Sequence, residues 1–331
     1  MTGSRAGFFA CVALLGAFSC LTLRLFAGDA PEEAKHAFTV GDYPRAIEIL
    51  NRAAGSSPND AAVYHLLARS YFEDGQFDRA ISAAERSVAL APDNSAYHEL
   101  LGHVYGEKAD RSGWFSALSL AKKARREFEV AVNLDPRNFS AMQALVEFDC
   151  SAPGMAGGGE DKARPEIQTL SSLDAAEGSY AAGNCRRQKK DFETADAEFQ
   201  KALALHPKSV DLIYDIGDHY MKRGQADRLW LVVKEGQRAD ARDPRGDFYR
   251  AVALVIQKEK PAESAALIRD YIAHAPKRDN YPSKAMAHYW LGRIQENLND
   301  SISAKSEYRQ AVELEPKNRF ANDALRRLQR D

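Results

Sequence analysis

Between positions 61 and 94 the sequence AAVYHLLARSYFEDGQFDRAISAAERSVALAPDN sets Tyr64, Leu67, Ala68, Tyr71, Gly75, Ala80, Ala84, Ser87 and Pro92 in a pattern that returns after 34 residues. One step back, Ala34, Gly41, Ala46, Leu50, Ala53 and Pro58 hold the corresponding places. A unit starting at Ala285 repeats them with Leu291, Gly292, Ala304, Tyr308, Ala311 and Pro316. A fixed period of this length calls for a stack of like units, since no single unit can bury its apolar face alone. Within a unit the spacing predicts two helices. Small residues at unit positions 8 and 20 let them approach closely, and larger ones at 4, 7, 11 and 24 fill the space that remains. Gly75, like Gly41 and Gly224, is expected to end the first helix in a left-handed conformation. Proline at position 32 stops the second helix, and Asp93 or Asn94 after Pro92 can cap the next.

The closing prolines carry the register along the chain. Pro58 to Pro92 is 34 residues and Pro92 to Pro136 is 44, so ten extra residues fall within positions 105–128. A second insertion occupies 152–159 and a further loop lies around 277–282. Eight units then fit, near 27–60, 61–94, 95–138, 139–175, 176–209, 210–244, 245–278 and 285–318. The unit beginning at Arg245 matches least, with Val252, Val255 and Ser264 at pattern positions. In its period and its aromatic, Leu-Gly, Tyr, Ala and Pro positions, the chain resembles the tetratricopeptide repeat family. The resemblance implies an all-α fold, a right-handed α-solenoid of about eight helix-turn-helix units whose first helices line an inner surface. Residues 319–331 are expected to form a capping helix over the last apolar face. The insertions, with AKKARREFEVAVNLDPRN and APGMAGGGEDKA, are similar to those of a group of exported bacterial tetratricopeptide proteins over residues 95–175, and imply no activity.

An apolar run follows Arg5, reaching Leu23 before Arg24 and the small residues Ala27 and Gly28. It fits an export signal cleaved after Ala27, or an uncleaved amino-terminal membrane anchor, over residues 1–27. Either places the bulk of the chain in the periplasm or cell envelope. Of the four cysteines, Cys11 and Cys20 lie in that segment. Cys150 and Cys185 are too few for a disulfide framework; they could pair in an oxidising compartment, but two small buried or half-buried thiols are expected. Hydrophobic residues at 45% and charged residues at 28% are ordinary globular proportions and exclude a collagenous, disordered or multi-span chain. Without Arg5 and Arg24 the net charge moves from −2 to −4, which argues against a nucleic-acid partner.

Few residues point to chemistry. Gly154 and Gly159 have the outer spacing of a phosphate loop, but Glu160 and Asp161 stand where a lysine and a hydroxyl belong, so a turn between helices is expected. His98 and His103 are five apart and cannot share one helix face as zinc ligands; His98 falls at a packing position. The cluster Lys122, Lys123, Arg125 and Arg126 is expected to be a solvated helix face. No nucleophile elbow or Ser-His-Asp arrangement is visible, and no metal or cofactor is expected.

The first-helix positions expected to face the inner groove carry the functional information. In the amino-terminal half they hold His65, Arg69, Phe72, Glu99, His103, Gln143 and Glu147. Further on, position 5 is Tyr180, Tyr214, Tyr249 and Tyr289 in consecutive units, beside Asn184, Asp218 and Arg293. Such a tyrosine ladder suits capture of an extended peptide, because tyrosine offers broad amphipathic contact with few rotors to freeze. Replacing Tyr214 and Tyr249 by Ala is expected to weaken capture and leave melting unchanged. Lys35 and Asn184 alone do not reproduce the Lys and Asn set with which some tetratricopeptide domains grip a terminal carboxylate. The expected function is a non-catalytic module for binding a protein or peptide partner. The alternatives are an envelope scaffold tethered through residues 1–27 and, from another class, an enzyme built on the insertions.

Overall fold

The computed structural model describes residues 29–278 and 280–329; the apolar amino-terminal run lies outside the described residues. Among the described residues there are seventeen α-helices, one 3-10 turn and no strand. The helices pair as hairpins, an A helix followed by a B helix. The pairs are α1 Asp29–Thr39 with α2 Tyr43–Ser56, α3 Ala61–Glu73 with α4 Phe77–Leu90, and α5 Ser95–Asp110 with α6 Trp114–Leu134. Next come α7 Phe139–Ser151 with α8 Glu160–Leu173, α9 Ala175–Gln188 with α10 Phe192–Ala204, and α11 Val210–Lys222 with α12 Ala226–Ala239. The last pairs are α13 Pro244–Gln257 with α14 Pro261–His274 and α15 Lys284–Asn297 with α16 Ser301–Leu314, before a final helix α17 Arg319–Leu328. The helix pairs follow the 34-residue beat, and α17 packs on α16 as a cap.

Local chemistry explains the boundaries. The side chains of Asp60, Asn94, Asn138 and Asn318 accept hydrogen bonds from the first-turn amides of α3, α5, α7 and α17. Gly41, Gly75 and Gly224 take the expected left-handed conformation after their A helices, with φ of +81°, +77° and +67°. Position 8 shows why small residues recur. A Cβ on Gly102 would lie 2.5 Å from the Phe128 ring, and one on Gly183 would lie 2.6 Å from that of Phe199. In these units a ring from the B helix sits directly on the A-helix backbone, whereas unit two uses Ala68, which is fully buried, and Ala84.

Neighbouring A helices also touch one another, α3 against α5, α5 against α7 and α7 against α9, which makes them the tighter inner layer of a curled stack. The curl brings distant units together: the Tyr43 hydroxyl donates to the Lys277 carbonyl, 234 residues away. The loop between α14 and α15 therefore reaches the turn of the first unit. The buried apolar residues fall into two large clusters, one from α1 to α7 and one from α10 to α17, with a small one at Met142, Val146, Ala163, Leu170, Ala181 and Cys185 between them.

The insertions take two forms. The first lengthens the helices of unit three, α5 to 16 residues and α6 to 21, against 13 and 14 in unit two. The second is the expected turn between A and B helices, wound once as a 3-10 turn at Gly154–Ala156 and tied back by the Gly159 amide to the Asp149 carbonyl at 2.8 Å. The expectation of two free thiols is corrected: Cys150 and Cys185 form a disulfide, because α7 packs on α9 and brings their Cα atoms to 5.3 Å. The bond joins units four and five at the smallest core cluster.

Candidate functional site

The A helices place the amino-terminal candidates along the inner face with unequal freedom. His65 is half-buried, its ring stacked on Tyr97 at 4.6 Å, and burial with nearby Arg69 lowers its pKa to about 4. Gln143 is committed to its neighbour unit, its amide donating to the Glu177 carbonyl at 2.8 Å and carboxylate at 3.0 Å. Glu99 accepts from Asn138 at 2.8 Å. Arg69, His103 and Glu147 are exposed, and Phe72 is half-buried. The His103 side chain is 45% open to solvent yet ringed by protein, which lowers its pKa against the pull of Glu99. Glu147 is held above the usual carboxylate range by burial and by the charges of Asp215 and Asp110, with Arg187 opposing.

Phe72, His103 and Glu147 come together at one place, a cleft of about 580 Å³ between the lengthened hairpin of unit three and the inserted turn of unit four. Trp114, Leu118 and Phe128 line it from α6, and Phe148, Pro153 and Ala156 line it from α7 and the turn after it. Both insertions thus serve one concavity. Sequence spacing found the trough residues through positions 9 and 12 but missed Trp114 and Asp110, because an insertion's length does not tell whether it extends helices or adds a loop.

The carboxy-terminal candidates behave differently, and the open tyrosine ladder is corrected. Tyr214 and Tyr249 are each 1% exposed and Tyr289 is 8%. Asn184 is buried and Tyr180 half-buried. Position 5 lies in the seam between successive A helices, where the curl closes over it. Tyr214 stacks on Tyr249 with centroids 5.5 Å apart, and its hydroxyl end reaches the bare backbone of Gly236 and Gly246. The Tyr249 hydroxyl donates to Asp218 at 2.6 Å, and that of Tyr180 donates to Asp215 at 3.0 Å. Arg293 is half-buried and donates to the Tyr289 hydroxyl at 3.0 Å. These tyrosines clasp unit to unit.

Arg245, which the repeat pattern did not single out, is the centre of this region and only 2% exposed. Its guanidinium bonds Asp243 at 2.7 Å and Asp211 at 2.8 Å, lies over the rings of Tyr214 and Tyr281, and donates to the Asn280 carbonyl at 3.1 Å. The chain's own loop is thereby held against α11 and α13. The basic cluster of α6 also divides. Lys122, Lys123 and Arg126 are exposed as expected. Arg125 is not solvated: it clamps Asp149 of the next unit at 2.8 and 2.9 Å and also bonds Glu129. Beside this pair, burial and the Asp149 charge push the Glu166 carboxyl up to about 8. His98 packs as expected, between Glu127 at 2.6 Å and the Pro92 carbonyl at 3.0 Å.

Family models described as tetratricopeptide repeat match residues 37–104, 177–209 and 285–318, the last two each spanning one helix pair. The chain is a tetratricopeptide-repeat protein. No curated protein matches it. Among solved structures, this tetratricopeptide-repeat chain is similar to a thermophilic TPR protein of Thermus thermophilus, with 20% identity, 56% of this chain and 94% of that one covered, and a TM-score of 0.46. A tetratricopeptide repeat protein from Parabacteroides merdae covers 92% of this chain and 98% of its own at 13% identity and a TM-score of 0.44. MamA covers 52% and 93% at 20% identity and a TM-score of 0.41. The repeat fold is consistent with a protein-interaction module.

Proposed function

We propose that this chain is an exported, non-catalytic module that captures a protein or peptide partner along the amino-terminal half of its concave face. The observation that carries the reading is the convergence of Phe72, His103 and Glu147, from three successive A helices, on one open cleft. Side chains on a rigid stacked scaffold can meet an extended partner without reordering, which favours binding. Export is supported by the apolar run after Arg5 and by the Cys150–Cys185 disulfide, a bond that persists in oxidising compartments. The carboxy-terminal half serves as the brace, since its tyrosines and Arg245 are spent on internal contacts.

Site-directed photo-crosslinking in the producing cell tests this. The crosslinking residue p-benzoylphenylalanine is placed at Arg69 or His103 in the trough and at Arg52 or Lys201 on exposed B-helix surfaces. Adducts from the trough positions alone are the expected result. Equal adducts from all four positions, or adducts only from the outer ones, would remove the concave face from the mechanism.

A further inference from the structure

The cleft has walls of one kind and charge of another. Its apolar lining includes Trp114, Leu118 and Phe128, and at its rim the turn of the lengthened hairpin leaves Trp114 63% and Phe115 88% exposed. Exposed aromatic side chains at a concavity are a mark of recognition surfaces. Three carboxylates border the same space, those of Glu107, Asp110 and Glu147. Glu107 is paired with Arg111, whose guanidinium also lies over Phe77 at 4.8 Å. Neither Asp110 nor Glu147 has a cation at salt-bridge distance among the described residues. With His103 held towards its neutral form, no charge within the lining offsets them; Arg187, outside the lining and paired with Asp215 at 2.9 Å, opposes the Glu147 charge only in part.

This arrangement fits one occupant. We propose that the cleft receives a Lys or Arg side chain from an apolar stretch of a partner peptide, its stem against Trp114 and Leu118 and its charge between Asp110 and Glu147. The long aliphatic stems of Lys and Arg cover apolar surface while the head stays polar, so a single residue satisfies both parts of the lining. The indole of Trp114 adds an electron-rich face for the cation. An acidic or uncharged peptide leaves the two carboxylates facing each other's field, and an apolar one leaves them to be desolvated without a partner. The inference rests on the trough reading above and adds the chemistry of the partner.

The test is selection of random peptides displayed on phage against the full chain, followed by titration of the enriched sequences as synthetic peptides. Enriched sequences carry a Lys or Arg beside apolar residues. Their binding weakens by about tenfold or more in the double variant Asp110→Asn, Glu147→Gln, as expected for loss of a charge pair in a partly enclosed site. Both carboxylates are exposed, so this variant keeps the fold; Trp114→Ala, also at an exposed site, weakens the same peptides by a route independent of charge. Enriched peptides without a basic residue, or binding within about twofold of the parent in both variants, overturn the proposal. If those peptides are instead lost on Arg69→Glu, trough capture stands and only the cleft chemistry falls. Peptides indifferent to every one of these changes, or no enrichment at all, bring down both readings.

Discussion

At the scale of single residues, a side chain's unit position did not decide its exposure. Tyr214 and Tyr249 were legible as a recurring feature at position 5, but that position borders both the trough and the seam between A helices, and the pattern alone does not tell the two apart. Tyr249→Ala is therefore expected to cost about 3–5 kcal/mol in urea denaturation, as for other buried aromatic truncations, in place of the unchanged melting that an open ladder would give. Glu166 offers a second check. Its folded-state pKa of about 8 lies above that of an unfolded carboxyl, so the folded chain holds the proton more tightly. That contribution is complete below the unfolded value and is lost as pH rises through 8. Across that window the denaturation midpoint of the parent should fall, and Glu166→Gln should flatten the slope. His65 acts in the opposite sense, its lowered pKa weakening the fold as pH drops from about 6.5 towards 4.

At the scale of elements, the hairpins were legible because small residues, prolines and capping side chains repeat on one beat. The fate of the insertions was not. Ten extra residues between the helices of unit three could have been a loop; their apolar and charged residues continue the helical period, and the helices lengthened instead. Glycine at position 8 was visible as a small residue, but its pairing with a ring at position 24 emerges only from the packing. Gly183→Ala should cost about 1–3 kcal/mol, because the added methyl meets the Phe199 ring at 2.6 Å and overpacked cores strain by that much. Thermal unfolding measures it, and a cost near zero would mean that the two helices part without penalty. Two cysteines alone left free thiols as the expectation over a disulfide, yet Cys150 and Cys185 are 35 residues apart, one unit plus one. That spacing on two successive A helices was the signal, and the bond closes the joint where buried apolar residues are fewest.

For the whole molecule, period and register foretold a solenoid, and nothing in them foretold that its first turn would meet the loop between its seventh and eighth units. The contact from Tyr43 to Lys277 is a product of accumulated curvature, which local spacing does not encode. Tyr43→Phe should raise amide hydrogen exchange both in α1 and α2 and around residues 280–283, with the middle units unchanged. Exchange that rises only beside the substitution would show that the two regions do not support each other. Repeat arrays ordinarily behave as one-dimensional stacks that fray from their ends inward. Here the first unit also bears on the loop that precedes the last helix pair, so loosening one releases the other. Unfolding should then approach a single concerted transition, and removal of the first unit should be felt in the loop between α14 and α15.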